Sequence, residues 1–124
     1  MSESFPAVGQ RYLVDFVAFR VELYFSSIAS MTYTSIGKDG SRGGSETVAI
    51  TVEPIRDQLF LVTWQEADKT TVVHLEDYKL MTIVTNITGT DGSFDKFHGR
   101  MTPVDAGDGL GQTSSLVGAG GPVA

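Results

Sequence analysis

No stretch of this chain repeats its apolar residues every third or fourth position, but several repeat them every second one. Residues 19–26 are the clearest case: Phe19, Val21, Leu23 and Phe25 fall on one face, Arg20, Glu22, Tyr24 and Ser26 on the other. Period two over eight residues marks a half-buried strand, and the absence of an amphipathic helix restricts the fold to sheets. Residues 29–36 and 46–54 alternate likewise, 10–16 is apolar-rich, the two arms of 59–78 are apolar on both faces, 80–88 is rich in β-branched residues, and 94–102 closes the set with Pro103 as a stop. Eight short strands in succession predict an all-β, antiparallel up-and-down barrel, in which closure removes exposed edges. A two-sheet sandwich is the alternative. Residues 37–45 read as a long glycine-heavy loop suited to a flap.

At 124 residues the chain is one domain by size. The barrel is expected to occupy 1–104. Residues 105–124, rich in Gly, Ala and Ser, read as a flexible tail, or as a segment whose Leu110, Leu116 and Val117 plug the barrel mouth. A net charge of −6 with scattered basic residues argues against nucleic acid. There is no cysteine, hence no disulfide framework or thiolate chemistry. With neither a long apolar run nor a signal-like start, a cytoplasmic protein without membrane contact is expected. A homodimer is left open.

The hairpin over 59–78 holds the single tryptophan and one of two histidines. A three-residue tip with Lys69 in the left-handed region pairs Trp64 with Val72, Val62 with His74 and Phe60 with Glu76. A two-residue turn at Tyr78-Lys79 then pairs Glu76 with Met81 and His74 with Ile83. A three-residue loop at 90–92 sets Met81 opposite Met101 and Thr85 opposite Phe97. One inward face thus collects Phe60, Val62, Trp64, Val72, Met81, Ile83, Phe97 and Met101, with the polar Glu66, His74 and Glu76 among them. Three readings of those polar groups stand side by side. Glu66 sits in water at the rim while His74 and Glu76 satisfy each other; the register slips by one and all three face solvent; or they converge in a ligand pocket. In the pocket reading His74, Glu76 and Glu66 are the acid/base set. Trp64 stacks on the substrate, and Tyr33, Val62, Met81, Ile83, Thr85, Phe97 and Met101 line the site. Tyr12 and Tyr24 are further phenols, more often packing. No cofactor is called for: His74 and the two glutamates match no metal-ligand spacing, and residues 37–44 lack the ending of a phosphate loop. His98 falls on the outer face.

The run from Phe60 to Asp68, with Trp64-Gln65-Glu66-Ala67-Asp68 at its tip, followed by His74-Leu75-Glu76-Asp77 and Thr85-Asn86-Ile87-Thr88, resembles the MoaF-like family over about 12–103. That resemblance implies a calycin-like barrel. The family name points to a molybdenum-cofactor locus, yet nothing in these residues suggests molybdopterin binding. Related barrels include cofactor-independent lyases and plain ligand carriers, a fold-level analogy only. The expected function is a small-molecule-binding barrel acting as a cofactor-independent lyase, isomerase or cyclase on a small apolar or aromatic substrate. The alternatives are a noncatalytic carrier or sensor of a hydrophobic molecule, and an interaction module using an outer strand face through Val73 and Leu75.

Overall fold

The computed structural model describes residues 4–104, which form nine antiparallel strands and no helix. The strands are β1 (Arg11–Asp15), β2 (Arg20–Ser27), β3 (Ser30–Ile36), β4 (Arg42–Ala49), β5 (Thr51–Arg56), β6 (Leu59–Gln65), β7 (Thr71–Asp77), β8 (Thr82–Thr88) and β9 (Phe94–Pro103). They make one curled half-barrel sheet in the order β4-β3-β2-β1-β9-β8-β7-β6-β5. Residues 105–124 lie outside the described residues, and with them any plugging role of Leu110, Leu116 and Val117.

Nine strands replace the expected eight because the alternating run 46–54 changes partner midway. Up to Ala49 it pairs with β3, and from Thr51 with β6. At the corner between them the Ile50 N–H donates to the Ala29 carbonyl at 3.0 Å. The two sheet edges are therefore halves of one continuous segment, and chain connectivity joins them where hydrogen bonds do not. Pro54, which removes a ladder donor, falls on the edge strand β5, where proline is tolerated. The glycine-heavy loop is also shorter than expected. Arg42 already pairs with Ile36, so only residues 37–41 turn.

Three hairpin tips share one geometry. Gly37, Glu66 and Gly89 each donate to the carbonyl four residues on, at 2.8, 2.7 and 2.9 Å. Each also accepts from the N–H three residues on, at 2.9, 2.9 and 3.1 Å. The middle aspartates Asp39, Asp68 and Asp91 accept from the amides of Ser41, Thr70 and Ser93. Bonds from those amides and hydroxyls, the hydroxyl foremost at Ser41 and the amides at Thr70 and Ser93, hold the three carboxyls below the usual range. The left-handed position is glycine in two tips, at φ 86° and 87°, and lysine in the third, at φ 79°. A side chain there crowds the backbone, so Lys69 carries strain that Gly40 and Gly92 do not.

The expected register holds through β6 and β7: Trp64 faces Val72, Val62 faces His74 and Phe60 faces Glu76. It also holds between β8 and β9, with Thr85 opposite Phe97. Between β7 and β8 it is off by two. Glu76 meets Ile83 and His74 meets Thr85, because residues 78–81 form a four-residue connection instead of a two-residue turn. Asp77 Oδ1 accepts from the amides of both Lys79 and Leu80 at 2.9 Å, which stabilises the longer loop. A shift of two keeps every side chain on its face.

The two ends of the curled sheet differ. At one, the N-terminal segment packs across the opening: Phe5 and Ala7 are buried, and Val8 makes a parallel bridge to Phe25. Phe5 meets Phe60, Phe25 and Tyr78 edge-on with centroids 5.1, 5.2 and 5.7 Å away. Tyr12 adds contacts to Tyr78 and Phe25. This end is filled by rings in the geometry aromatic pairs prefer. The other end, ringed by residues 16–19 and the three tips, holds a cavity.

Candidate functional site

Strand β7 turns Val72, His74 and Glu76 inward, and Tyr78 follows them at the strand's end. Their side chains run from the cavity toward the aromatic end. Glu76 is 0% exposed and His74 3%. His74 Nδ1 lies 2.9 Å from Glu76 Oε2, and the Tyr78 hydroxyl donates to Glu76 Oε1 at 2.6 Å. Set against an ionised Glu76, which only accepts, this contact puts hydrogen on Nδ1, and in the neutral ring the lone pair then falls on Nε2. Burial first, then the Glu76 charge, raise the Tyr78 phenol far above its ordinary value; the same causes in the same order raise Tyr12. Tyr78 therefore stays a donor, and Glu76 has a partner on each oxygen. A buried charge without such partners would be strongly destabilising.

His74 lines a cavity of about 170 Å³ together with Phe16, Phe19, Tyr33, Trp64 and Thr85. Trp64 meets the imidazole edge-to-face at 4.7 Å, and the Phe16 ring lies 6.3 Å from it. Tyr33 stacks on Trp64 at 6.4 Å. Phe16 reaches this position because Gly99 lies beneath it: a Cβ there would sit 2.6 Å from Phe16 Cδ1. Thr85, opposite His74 in the β7–β8 pairing, is 1% exposed, and its hydroxyl has no hydrogen-bond partner among the described residues.

The mouth is polar. Glu66 accepts from Trp64 Nε1 at 3.3 Å. Tyr33 donates to Glu46 Oε1 at 2.6 Å, and burial with that bond pushes its phenol well up. Glu46 Oε2 in turn accepts from the Ala67 amide at 2.8 Å, tying the β6–β7 tip to β4. Arg20 Nη2 is held by the carbonyls of Gly37 and Lys38, both at 2.7 Å. Val17 on the lip has φ 72°, a strained value for a β-branched residue.

Of the residues expected to form the site, His74, Trp64, Tyr33, Thr85 and Glu66 line the cavity. Glu76 sits behind His74 and reaches the cavity only through it. Val62, Ile83 and Met101 are buried in the core, with Met81 and Phe97 packed against it, and none of the five lines the cavity. Met81, Ile83 and Met101 stand nearer the filled end, whereas Val62 and Phe97 pair directly with His74 and Thr85 yet stay off the cavity wall. Phe16, Phe19 and Arg20 escaped the sequence reading, although Phe19 opens the alternating run that faces inward. Tyr78, expected in a two-residue turn, completes the His74–Glu76 line with its hydroxyl. His98 is exposed, as expected. No three His, Asp or Glu side chains among the described residues come together in a way that could hold a metal ion. No helix there is long and apolar enough to cross a membrane.

The profile of the MoaF-like family matches residues 8–102. Among solved structures, the chain is similar to one from Burkholderia vietnamiensis described as "a putative beta-lactamase", at 25% identity and a TM-score of 0.74. That match covers 84% of this chain and 100% of the other. No curated protein matches the sequence.

Proposed function

The chain belongs to the MoaF-like family, and from its cavity we propose that it is a small-molecule-binding β-barrel that works as a cofactor-independent acid/base enzyme. The observation that carries this reading is the His74–Glu76 bond, which commits Nδ1 and leaves Nε2 available to an aromatic-walled cavity. An orienting carboxylate of this kind fixes the tautomer and stabilises the imidazolium that forms when the base takes a proton.

In the proposed reaction a C–H of the bound molecule gives its proton to His74 Nε2, and the electron pair moves onto an adjacent carbonyl. Returning the proton at another carbon makes an isomerase; expelling a leaving group makes a lyase. Glu76 and Tyr78 are positioning residues, and Glu66 steadies Trp64 against the substrate. The cavity volume supports a substrate of about one ring, since a void of about 150 Å³ takes benzene.

Lactam hydrolysis, suggested by the words attached to the Burkholderia structure, gains no support from this chain's residues. Ser35 lies on the cavity wall, and Ser35-Ile36-Gly37-Lys38 has a Ser-x-x-Lys spacing. Side chains three apart meet on a helix, whereas here Ser35 lies within strand β3, Lys38 sits in a tight turn and both are exposed.

Deuterium wash-in from D2O at the α-carbons of cyclohexanone, followed by NMR, tests the reading. Wild-type protein should exceed free imidazole by about 10²-fold or more, and His74→Gln and Glu76→Gln should each remove most of that. If cyclohexanone changes Trp64 fluorescence saturably but exchanges no faster than in imidazole buffer, the protein is a carrier. If Trp64 does not respond at all, the cavity is not a ligand site for molecules of this class.

A further inference from the structure

We propose that Thr85 and His74 form an oxygen-anchoring pair on the cavity floor, so that the ligand is a neutral single-ring ketone or its enol, entering oxygen first. The inference rests on the cavity reading above and names its substrate class.

Thr85 and His74 are directly opposite on β8 and β7, a placement that sets their Cβ atoms about 5 Å apart. Oγ1 of Thr85 is buried with no hydrogen-bond partner among the described residues, and Glu76 engages Nδ1 of His74, so that Nε2 is the ring nitrogen left for a ligand. The hydroxyl is not explained by packing. Its inward neighbours in the cavity wall, Val72 and Ile87, are aliphatic, and valine would fill the same volume without burying an unsatisfied oxygen. A ligand in the cavity can supply the partner that this buried hydroxyl lacks.

The chemistry of the pair selects the ligand's polar group. Thr85 can donate to an oxygen, while Nε2 can only accept. An enol or phenol matches both at once, its oxygen taking the threonine hydrogen and its own hydrogen going to Nε2. A ketone matches the first bond and presents its α C–H beside the base. A carboxylate end does not match: it has no hydrogen for Nε2, and the buried Glu76 carboxylate lies directly behind His74. The cationic Arg20 is at the mouth, held by two backbone carbonyls. The walls around the pair are the rings of Phe16 and Trp64, which suit a flat ring.

Phenol, as a stable enol mimic, and toluene, of the same shape without the oxygen, are the probes, titrated against the fluorescence of Trp64, the single tryptophan. Phenol should bind wild-type protein at least tenfold tighter than toluene. Thr85→Val should abolish most of that preference while leaving toluene affinity and melting temperature unchanged or raised, and Thr85→Ser should restore it. Benzoate should bind more weakly than phenol. Equal binding of phenol and toluene, or a preference unaffected by Thr85→Val, overturns the anchoring pair and leaves the cavity standing as an apolar site. Failure of both probes to bind overturns the pair together with the cavity reading beneath it.

Discussion

The two ends of this barrel are built from the same residue types, yet one is filled and the other hollow. At the closed end Phe5, Tyr12, Phe25, Phe60 and Tyr78 fill the space with edge-on rings. At the open end Phe16, Phe19, Tyr33 and Trp64 stand around a cavity with His74 and Thr85 at its floor. The closed end is filled because the N-terminal segment contributes Phe5 and Ala7 from outside the strand ladder. At the open end no described residue plays that part, and the strained Val17 lip and the three hairpin tips frame the mouth. Strand β7 joins the two regimes: His74 lines the cavity, Tyr78 packs in the plug, and Glu76 lies between them. An aromatic cluster with its last volume filled closes one end; the same kind of cluster with a ring's volume missing leaves a cavity at the other.

This division predicts unequal costs for equal truncations. Phe5→Ala should lower unfolding free energy by about 3–5 kcal/mol, whereas Phe19→Ala should cost under about 1.5 kcal/mol, since Phe19 is 38% exposed and Phe5 6%. Urea titration of both variants measures this, and similar losses would erase the distinction between the ends.

Tyr78 tests the junction. Tyr78→Phe leaves Glu76 Oε1 buried without its donor and should cost about 1–3 kcal/mol. Its pH dependence has a definite sign. A phenol whose folded pKa is raised from 10.0 keeps its full contribution below pH 10. That contribution is lost above pH 10, because the unfolded chain ionises first, at about 1.4 kcal/mol per pH unit. The alkaline slope of stability between pH 10 and 11.5 should therefore be shallower in Tyr78→Phe by about one proton. An unchanged slope would mean that Tyr78 is not held protonated by its surroundings.

The smallest effect is at the open rim. Lys69→Gly should gain about 0.5–1 kcal/mol by relieving the left-handed side chain, less the extra freedom of glycine in the unfolded state. A loss instead would show that the lysine stem supports the tip.

Turn chemistry made much of the site legible in the sequence. The Ala67-Asp68-Lys69 tip was identified as a three-residue loop, and that alone puts Trp64 and His74 on one inward face. Asp91-Gly92 did the same for Thr85 and Phe97. The error at Tyr78-Lys79 was harmless to the faces because it was even. It nevertheless placed Ile83 opposite His74 where Thr85 belongs, and so hid the pairing of the two open polar groups. The break at Ile50 was invisible because alternation continues through it; the change of partner depends on how far the sheet has curled by that point.

The chain's own alternation and turn residues determined that it is an antiparallel β protein, which side chains face inward and which polar residues accompany them, since strand period and loop length are local properties. Only the tertiary structure decided how high each inward residue stands and what it meets across the barrel. Curling brings Phe16, seated over Gly99, against His74, and brings Phe5 against Tyr78. Those contacts join strands far apart in the chain, and their placement follows from the closure of the whole sheet.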